Sequence, residues 1–508
     1  MEPTDVLVVG AGPAGLTLAC GLLLQGASVR VVDRAPGPAT SSRANFLHAR
    51  GSEVLGRLGA LGDLPERSIP AMTITLHAGG RTVSTIRFGD AGLRTSRPAM
   101  LTPQSRVEAA LRARLAELGG RVEWDTPLVD ASQDDNGITA TLGGGRTARA
   151  GWLAGCDGAH STTRGLAGMG FPGVPIADRW LLADVRMDWA MSPSGSHGWL
   201  HRDGLVGALP MRDPDGAGVV WRLMAYLPGS TDDALEPEQV LERMRRILPE
   251  RTGLSGVEIH DAVWTSTFRI HRRLAEDYRR GRFLLVGDAA HIHSPMGGQG
   301  MLTGIGDAEN LAWKLSLVAR GRAAEALLDT YTAERRPLAA EVLRTTSANT
   351  RFQVGEGAVV RFLREHVMPT VMNLPPVQRW ATSAASQLGV SYRRGPLGTR
   401  PVPLPGRAPR PGDRVPDLAC LDGDGGATRL HAELGARWVV LTAAPDTRAW
   451  TDARKRLGGR VTALRPERAA LRDALLVRPD GHLAWRGHPG SADLGRWLDD
   501  ALERGRAR

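Results

Sequence analysis

The sequence predicts an α/β fold: a parallel sheet of the dinucleotide-binding kind, an antiparallel unit inserted in it, and a smaller C-terminal unit. Three observations predict it. Residues 6–9 are a continuous apolar run, too short for a helix, followed by Gly10-Ala11-Gly12-Pro13-Ala14-Gly15 and an apolar helical stretch. Between about 179 and 270 the texture changes, and segments such as 218–226 suggest antiparallel strands. Pro and Gly cluster over 395–416 as a linker, and beyond it 438–441 reads as a buried strand and 474–485 as strand-turn-strand. A length of 508 residues is in keeping with about three domains.

The elements follow in order. Residues 16–24 form a helix ended near Gly26, and 27–32 a second short strand closing at Asp33. Residues 104–118 read as an amphipathic helix, 121–128 as a strand, and 138–142 with 147–150 as a hairpin around three glycines. Residues 152–158 are a short apolar strand running into a turn. A helix is expected over 236–248, a strand over 282–288, a helix over 306–320, and further helices towards 390.

Three constellations carry chemistry. In Gly10-x-Gly12-x-x-Gly15, the first glycine permits the turn, the second admits a pyrophosphate close to backbone, and the third lets helix pack on strand. The helix N-terminus supplies free N–H groups for phosphate, and Asp33 can accept from a ribose. Asp157-Gly158 follows a short strand, though this dipeptide is also common in plain turns. The third is Gly287-Asp288-Ala289-Ala290-His291, then Pro295-Met296-Gly297-Gly298-Gln299-Gly300-Met301. A carboxylate at a strand end suits a sugar or ribityl hydroxyl, and a Gly-rich loop opening a helix offers N–H groups to an anion. His291 and His293 lie close together, but no carboxylate pair with ligand spacing joins them, so no metal is expected.

Composition excludes other classes. The net charge of +10 is carried almost wholly by Arg, spread without runs, so nucleic acid is not the expected partner. Cys20, Cys156 and Cys420 are far apart and form no C-x-x-C, which fits a reduced cytoplasmic setting. The first residues lead into a strand rather than a signal peptide, and no apolar run approaches ~18 residues, so no membrane span is expected.

Taken in order, these motifs resemble the flavoprotein aromatic hydroxylases of the para-hydroxybenzoate hydroxylase type, over roughly residues 4–340. Phe268-Arg269-Ile270-His271-Arg272-Arg273, leading to Tyr278-Arg279-Arg280-Gly281-Arg282, is similar to that family's phenol and polyketide hydroxylases. Ser42-Arg43 matches its early Arg near the flavin, and Gln104 its helix-opening Gln. The resemblance implies that FAD is held by Gly10, Gly12, Pro13, Ala14, Gly15, Asp33, Arg34, Arg43, Gln104, Asp157, Gly158, Asp288, Pro295, Gly298, Gly300, Met301 and Leu302. Many relatives carry Asn where this chain has Leu302, a departure that leaves backbone donors to serve the flavin at that point.

The implied organisation is a Rossmann-like FAD-binding domain in two parts, 1–178 and 271–395, the first contributing about 73–100 to the substrate domain. An antiparallel-sheet substrate domain spans 179–270, and a thioredoxin-like unit without its cysteine pair spans 396–508. The implied reaction is that of a monooxygenase: FAD is reduced by transiently bound NADPH or NADH, reacts with O2 to a C4a-hydroperoxide, and oxygenates an electron-rich ring. A polycyclic polyketide-type aromatic is the expected substrate. Baeyer–Villiger insertion, antibiotic modification and a non-catalytic flavin-binding partner subunit are the alternatives. The catalytic base is unassigned; His48, His291 and His293 lie near the motifs but read as structural. Whether Trp221 and Leu223 or Arg222 and Met224 face the substrate depends on register. The oligomeric state is open, a homodimer among the options.

Overall fold

The protein is represented by a computed structural model. It describes residues 4–40, 42, 44–70, 73–78, 80–87, 95, 97, 99–213, 216, 218–228, 235–293, 298–354, 368–398, 409–444, 446–468 and 471–503. Arg43 and Pro295, both expected at the flavin, lie outside the described residues.

The first sheet runs Arg279–Arg280, Phe283–Leu285, Arg146–Gly155, Thr4–Val9, Val29–Val32, Val122–Glu123. Its central strands are parallel. Val6, Leu7 and Val8 have no exposed surface, as a strand covered on both faces requires. The helix Pro13–Leu24 lies against the helix Gly300–Ala319, where a Cβ on Gly21 would approach Ala312 to 2.7 Å.

Several boundaries differ from expectation. The segments expected at 147–150 and 152–158 are one strand, Arg146–Gly155. Its first half pairs antiparallel with Gly137–Leu142 and its second half parallel with Thr4–Val9, so one strand serves two ladders. The strand expected over 121–128 breaks at Asp125, whose φ is 49°, and pairing resumes in Leu128–Asp134. The helix expected from 306 starts at Gly300. Gly304 and Gly306 lie inside it as close-packing positions, where a Cβ would meet Gly287 Cα at 3.3 Å and Arg335 Nη2 at 2.9 Å respectively.

The second sheet runs His291–Ile292, Glu258–Leu274, Gly173–Asp188, Val219–Leu227, Val206–Arg212, Ser196–Leu200, Thr73–Ala78, Arg81–Arg87. All its pairs are antiparallel except Ser196–Leu200 with Thr73–Ala78. The helix Pro237–Thr252 covers one face, packing Val240, Met244, Ile247 and Leu248 against Val185, Trp221 and Leu223.

The C-terminal sheet runs Ala427–Arg429, Ala419–Leu421, Val461–Pro466, Trp438–Leu441, Ala474–Val477, Leu483–Gly487, with helices Arg448–Leu457 and Asp493–Glu503. Trp438, Val440 and Leu476 belong to the same apolar core as the first sheet. Trp438 meets Trp313 edge-on with ring centroids 5.1 Å apart. Its one cysteine, Cys420, is buried and free.

Candidate functional site

One cleft of about 3200 Å³ runs between the first two sheets. A single small-ligand pocket is roughly 300–1,000 Å³, so this space suits a dinucleotide together with a second molecule.

The glycine turn forms one wall. Gly10 has φ +105°, and a Cβ there would lie 2.3 Å from the Cys156 carbonyl oxygen. Gly15 packs against the same turn, its Cβ position 1.9 Å from the Gly10 oxygen. At Gly12 a Cβ would meet nothing within 4 Å, so this backbone is open to the cleft. Gly12 is the N-cap of Pro13–Leu24, and no side chain caps it. The first-turn N–H groups lack intrahelical acceptors and carry the positive end of the helix dipole. The helix Gly300–Ala319 is likewise uncapped by any side chain at Gln299, and Gln299, Gly300 and Met301 border the same cleft. Two uncapped helix N-termini on one space form a built anion-binding arrangement, and it fits FAD.

Other expected residues fall around these ends. Asp33 borders the cleft, but its carboxylate already organises the turn: Oδ2 accepts from Ala11 N at 2.6 Å and Oδ1 from Ala35 N at 2.8 Å. Arg34 is exposed and borders the cleft. Asp157 and Gly158 border it too, with the Asp157 carboxylate accepting from Ser161 Oγ and from Thr163 N at 2.9 Å. Gln104 holds the preceding loop, accepting from Ala44 N at 3.2 Å and donating to Glu108 at 2.8 Å. Asp288 is exposed and borders the cleft, as do Gly298 and Gly300. Leu302 is buried and Gly15 is packed inside; neither borders the cleft. Leu302 points towards the Gly51 face of the neighbouring helix, so the absence of a polar side chain there removes nothing from the cleft wall.

The turn at Gly287 is pinned from behind. Asp307 Oδ2 accepts from Gly287 N at 3.2 Å and contacts His291 Nε2 at 2.6 Å, and Oδ1 accepts from Arg335 Nε at 2.6 Å. Burial pushes the Asp307 carboxyl up, but Arg335 and His291 outweigh it and hold the group below its ordinary value. His291 is fully buried in this network, and His48 is buried too, its ring 4.3 Å from that of Phe46. His293 borders the cleft.

The second sheet supplies the other wall. Arg222 and Met224 face the cleft, while Trp221 and Leu223 face the helix Pro237–Thr252. Trp180, Leu182, Trp264 and Phe268 extend this mostly apolar surface. The Arg222 guanidinium is bound at 2.8 and 2.7 Å by the Asp184 carboxylate and donates to the Ser42 carbonyl, tying the sheet to the loop after the second strand. His197 also borders the cleft and meets His77 at 3.3 Å; burial lowers both imidazoles from their ordinary value. The sequence reading missed Trp180, Trp264 and His197; strand alternation offered a signal, but not which face was inward.

Comparison with known proteins agrees with this geometry. The model of a family described as "FAD binding domain" matches residues 3–346, and that of "aromatic-ring hydroxylase, C-terminal" matches 408–505. The 6-methylpretetramide 4-monooxygenase of Streptomyces rimosus is 34% identical over 95% of this chain and 90% of its own length. Among solved structures, the anhydrotetracycline hydroxylase from Streptomyces rimosus superposes with a TM-score of 0.80 at 32% identity, covering 99% of both chains. An aklavinone-11 hydroxylase solved with FAD and aklavinone gives 0.78 at 27% identity, over 99% of this chain and 100% of the other.

Proposed function

The chain belongs to the aromatic-ring hydroxylase family of FAD-dependent monooxygenases, and we propose that it hydroxylates a planar, polycyclic, polyketide-type aromatic with NAD(P)H and O2. The observation that carries this reading is the continuity of one cleft from the glycine turn to the apolar sheet face. Bound FAD supplies the hydride acceptance and oxygen activation that no side chain provides. The protein's part is to bind, orient and exclude water. Gly12 and the two helix ends take the anionic portions of FAD, and Asp288 stands where a polyol hydroxyl can donate to it. Trp180, Leu182, Met224, Trp264 and Phe268 give a planar ring system a wide apolar surface and keep water from it. The Arg222 charge on this wall is met by Asp184.

The relatives' substrates, a pretetramide, anhydrotetracycline and aklavinone, are large ring systems, and the cleft's size suits the same class. A screen of polycyclic phenols for faster anaerobic flavin reduction by NADPH tests the reading. At least one tricyclic or tetracyclic compound is expected to accelerate it more than simple phenol does. Acceleration by simple phenols alone would overturn the polycyclic assignment.

A further inference from the structure

The described residues hold a second assembly of buried charges, where the C-terminal sheet meets the helices behind the glycine turn; of its members Glu334 borders the cleft, while Arg478, Asp480, Lys314 and Asp307 do not. Arg478 lies in the turn between the strands Ala474–Val477 and Leu483–Gly487, with Asp480 two residues on. Arg478, Asp480, Glu334, Lys314, Arg335 and Asp307 are each at most 4% exposed. Arg478 forks onto Glu334 at 2.8 and 3.1 Å and also pairs with Asp480. Glu334 in turn accepts from Asn310 Nδ2 at 2.7 Å and Lys314 Nζ at 2.8 Å, both on the helix Gly300–Ala319. Asp480 accepts from Trp313 Nε1 of that helix at 3.2 Å, and its carbonyl accepts from Arg50 at 2.8 Å.

The chain of contacts reaches the cleft. Glu334 is followed by Arg335 on one helix. Glu334 receives the C-terminal unit, and Arg335 donates to Asp307 at 2.6 Å and to the Thr303 carbonyl at 2.9 Å. Asp307 holds the Gly287 turn, next to Asp288, while Gly300 and Met301 at the start of the same helix border the cleft. Burial pushes the Glu334 carboxyl up, yet Arg478 and Lys314 bring it down to about 2; burial brings the Lys314 amine down to about 8. Each charge in this assembly depends on the one beside it, and a fork between planar groups fixes distance and angle together.

We propose that the C-terminal unit is a positioning part of the cofactor site: Arg478 and Asp480 set the placement of the helix Gly300–Ala319, and through it the flavin loop and the Gly287 turn. Arg478 and Asp480 thus act on FAD without lining the cleft themselves. This extends beyond the proposed substrate and does not depend on it.

The test uses the full chain and reads FAD affinity, not hydroxylation. Apoprotein of wild type, Arg478→Met, Arg478→Lys and the double variant Arg478→Met/Glu334→Gln is titrated with FAD by flavin fluorescence. Folding is followed by circular dichroism and the flavin environment by visible absorption. Arg478→Met leaves Glu334 buried beside a weakened partner set, and FAD affinity is expected to fall about tenfold with an altered flavin spectrum. Arg478→Lys is expected to recover part of the loss, because charge returns without the fork. The double variant restores the charge balance but leaves Asp480 and Lys314 without these partners, so it is expected to recover only part of the loss. Folded Arg478→Met with wild-type affinity and spectrum would overturn the proposal. Should that variant fail to fold, the nearly isosteric Asp480→Asn decides: it keeps the side chain's shape while removing the charge that pairs with Arg478, and unchanged FAD affinity there would equally overturn the proposal, whereas weaker affinity in folded protein supports it.

Discussion

At Gly12 a Cβ would meet nothing within 4 Å, whereas at Gly15 it would lie 1.9 Å from the Gly10 oxygen. Two alanine substitutions one helical turn apart therefore have different expected outcomes. Gly12→Ala should leave the apoprotein's thermal midpoint nearly unchanged and weaken FAD binding by about tenfold or more, since the methyl occupies the approach to the backbone. Gly15→Ala should lower the apoprotein's midpoint, because backbone must move. Calorimetry and FAD titration of both apoproteins check this; equal loss of stability in the two would contradict it. Asp288→Ala should weaken flavin retention more than Asp130→Ala. Asp130 stands exposed in the strand Leu128–Asp134, paired with Thr141, and does not border the cleft, so it serves as a control. The glycine roles were legible because spacing alone specifies them. The engagement of Asp33 with Ala11 and of Asp157 with Thr163 was not, because a carboxylate at a strand end suits a ligand and a backbone N–H equally well.

The strand Val219–Leu227 shows what a strand's sequence leaves open. Its alternation marks two sets of residues but not their directions, because a one-residue slip exchanges the faces. The helix Pro237–Thr252 resolves it by covering Trp221, Leu223 and Ala225, which turns Arg222 and Met224 to the cleft. Leu223→Ala should cost about 2–5 kcal/mol of stability, read by denaturant unfolding, with little change in substrate KM. Met224→Ala should change KM for polycyclic substrates and cost less stability. The opposite pattern would mean the faces are exchanged. The helix over 300–319 was legible in its latter part, but its Gly-rich start was not. Nothing local shows that Gly304 and Gly306 sit against Gly287 and Arg335 rather than ending a helix.

At the scale of the molecule, the three large sheets follow patterns readable in the chain, while the charges that join them do not. Glu53 and Arg414, or Glu334 and Arg478, lie far apart in sequence and give no local periodic signal. Their burial has a consequence for pH. Burial in the C-terminal unit brings the His431 and His482 imidazoles down to about 4, from an ordinary 6.5. Between those values the unfolded chain binds protons that the folded one does not, so stability falls as pH drops from about 6.5 towards 4, by up to roughly 1.4 kcal/mol per pH unit for each imidazole. Glu334, held at about 2, adds loss below an ordinary 4.5 as pH falls towards that value. The measurement is the midpoint of urea unfolding from pH 8 to 4. His482→Gln should flatten its fall between 6.5 and 4; an unchanged slope would contradict the burial argument.

No helix among the described residues is long and apolar enough to cross a membrane, and the cleft joins the flavin motifs to an apolar wall within one chain. That continuity makes oxygenation of a large aromatic the central claim. The direct measurement is turnover of FAD-loaded protein with NADPH under ¹⁸O2, using a panel of tricyclic and tetracyclic phenols with simple phenol as control. The expected result is substrate-stimulated NADPH oxidation and one ¹⁸O atom in the product of at least one polycyclic compound. NADPH oxidation indifferent to every compound, with all consumed oxygen recovered as hydrogen peroxide, would contradict it.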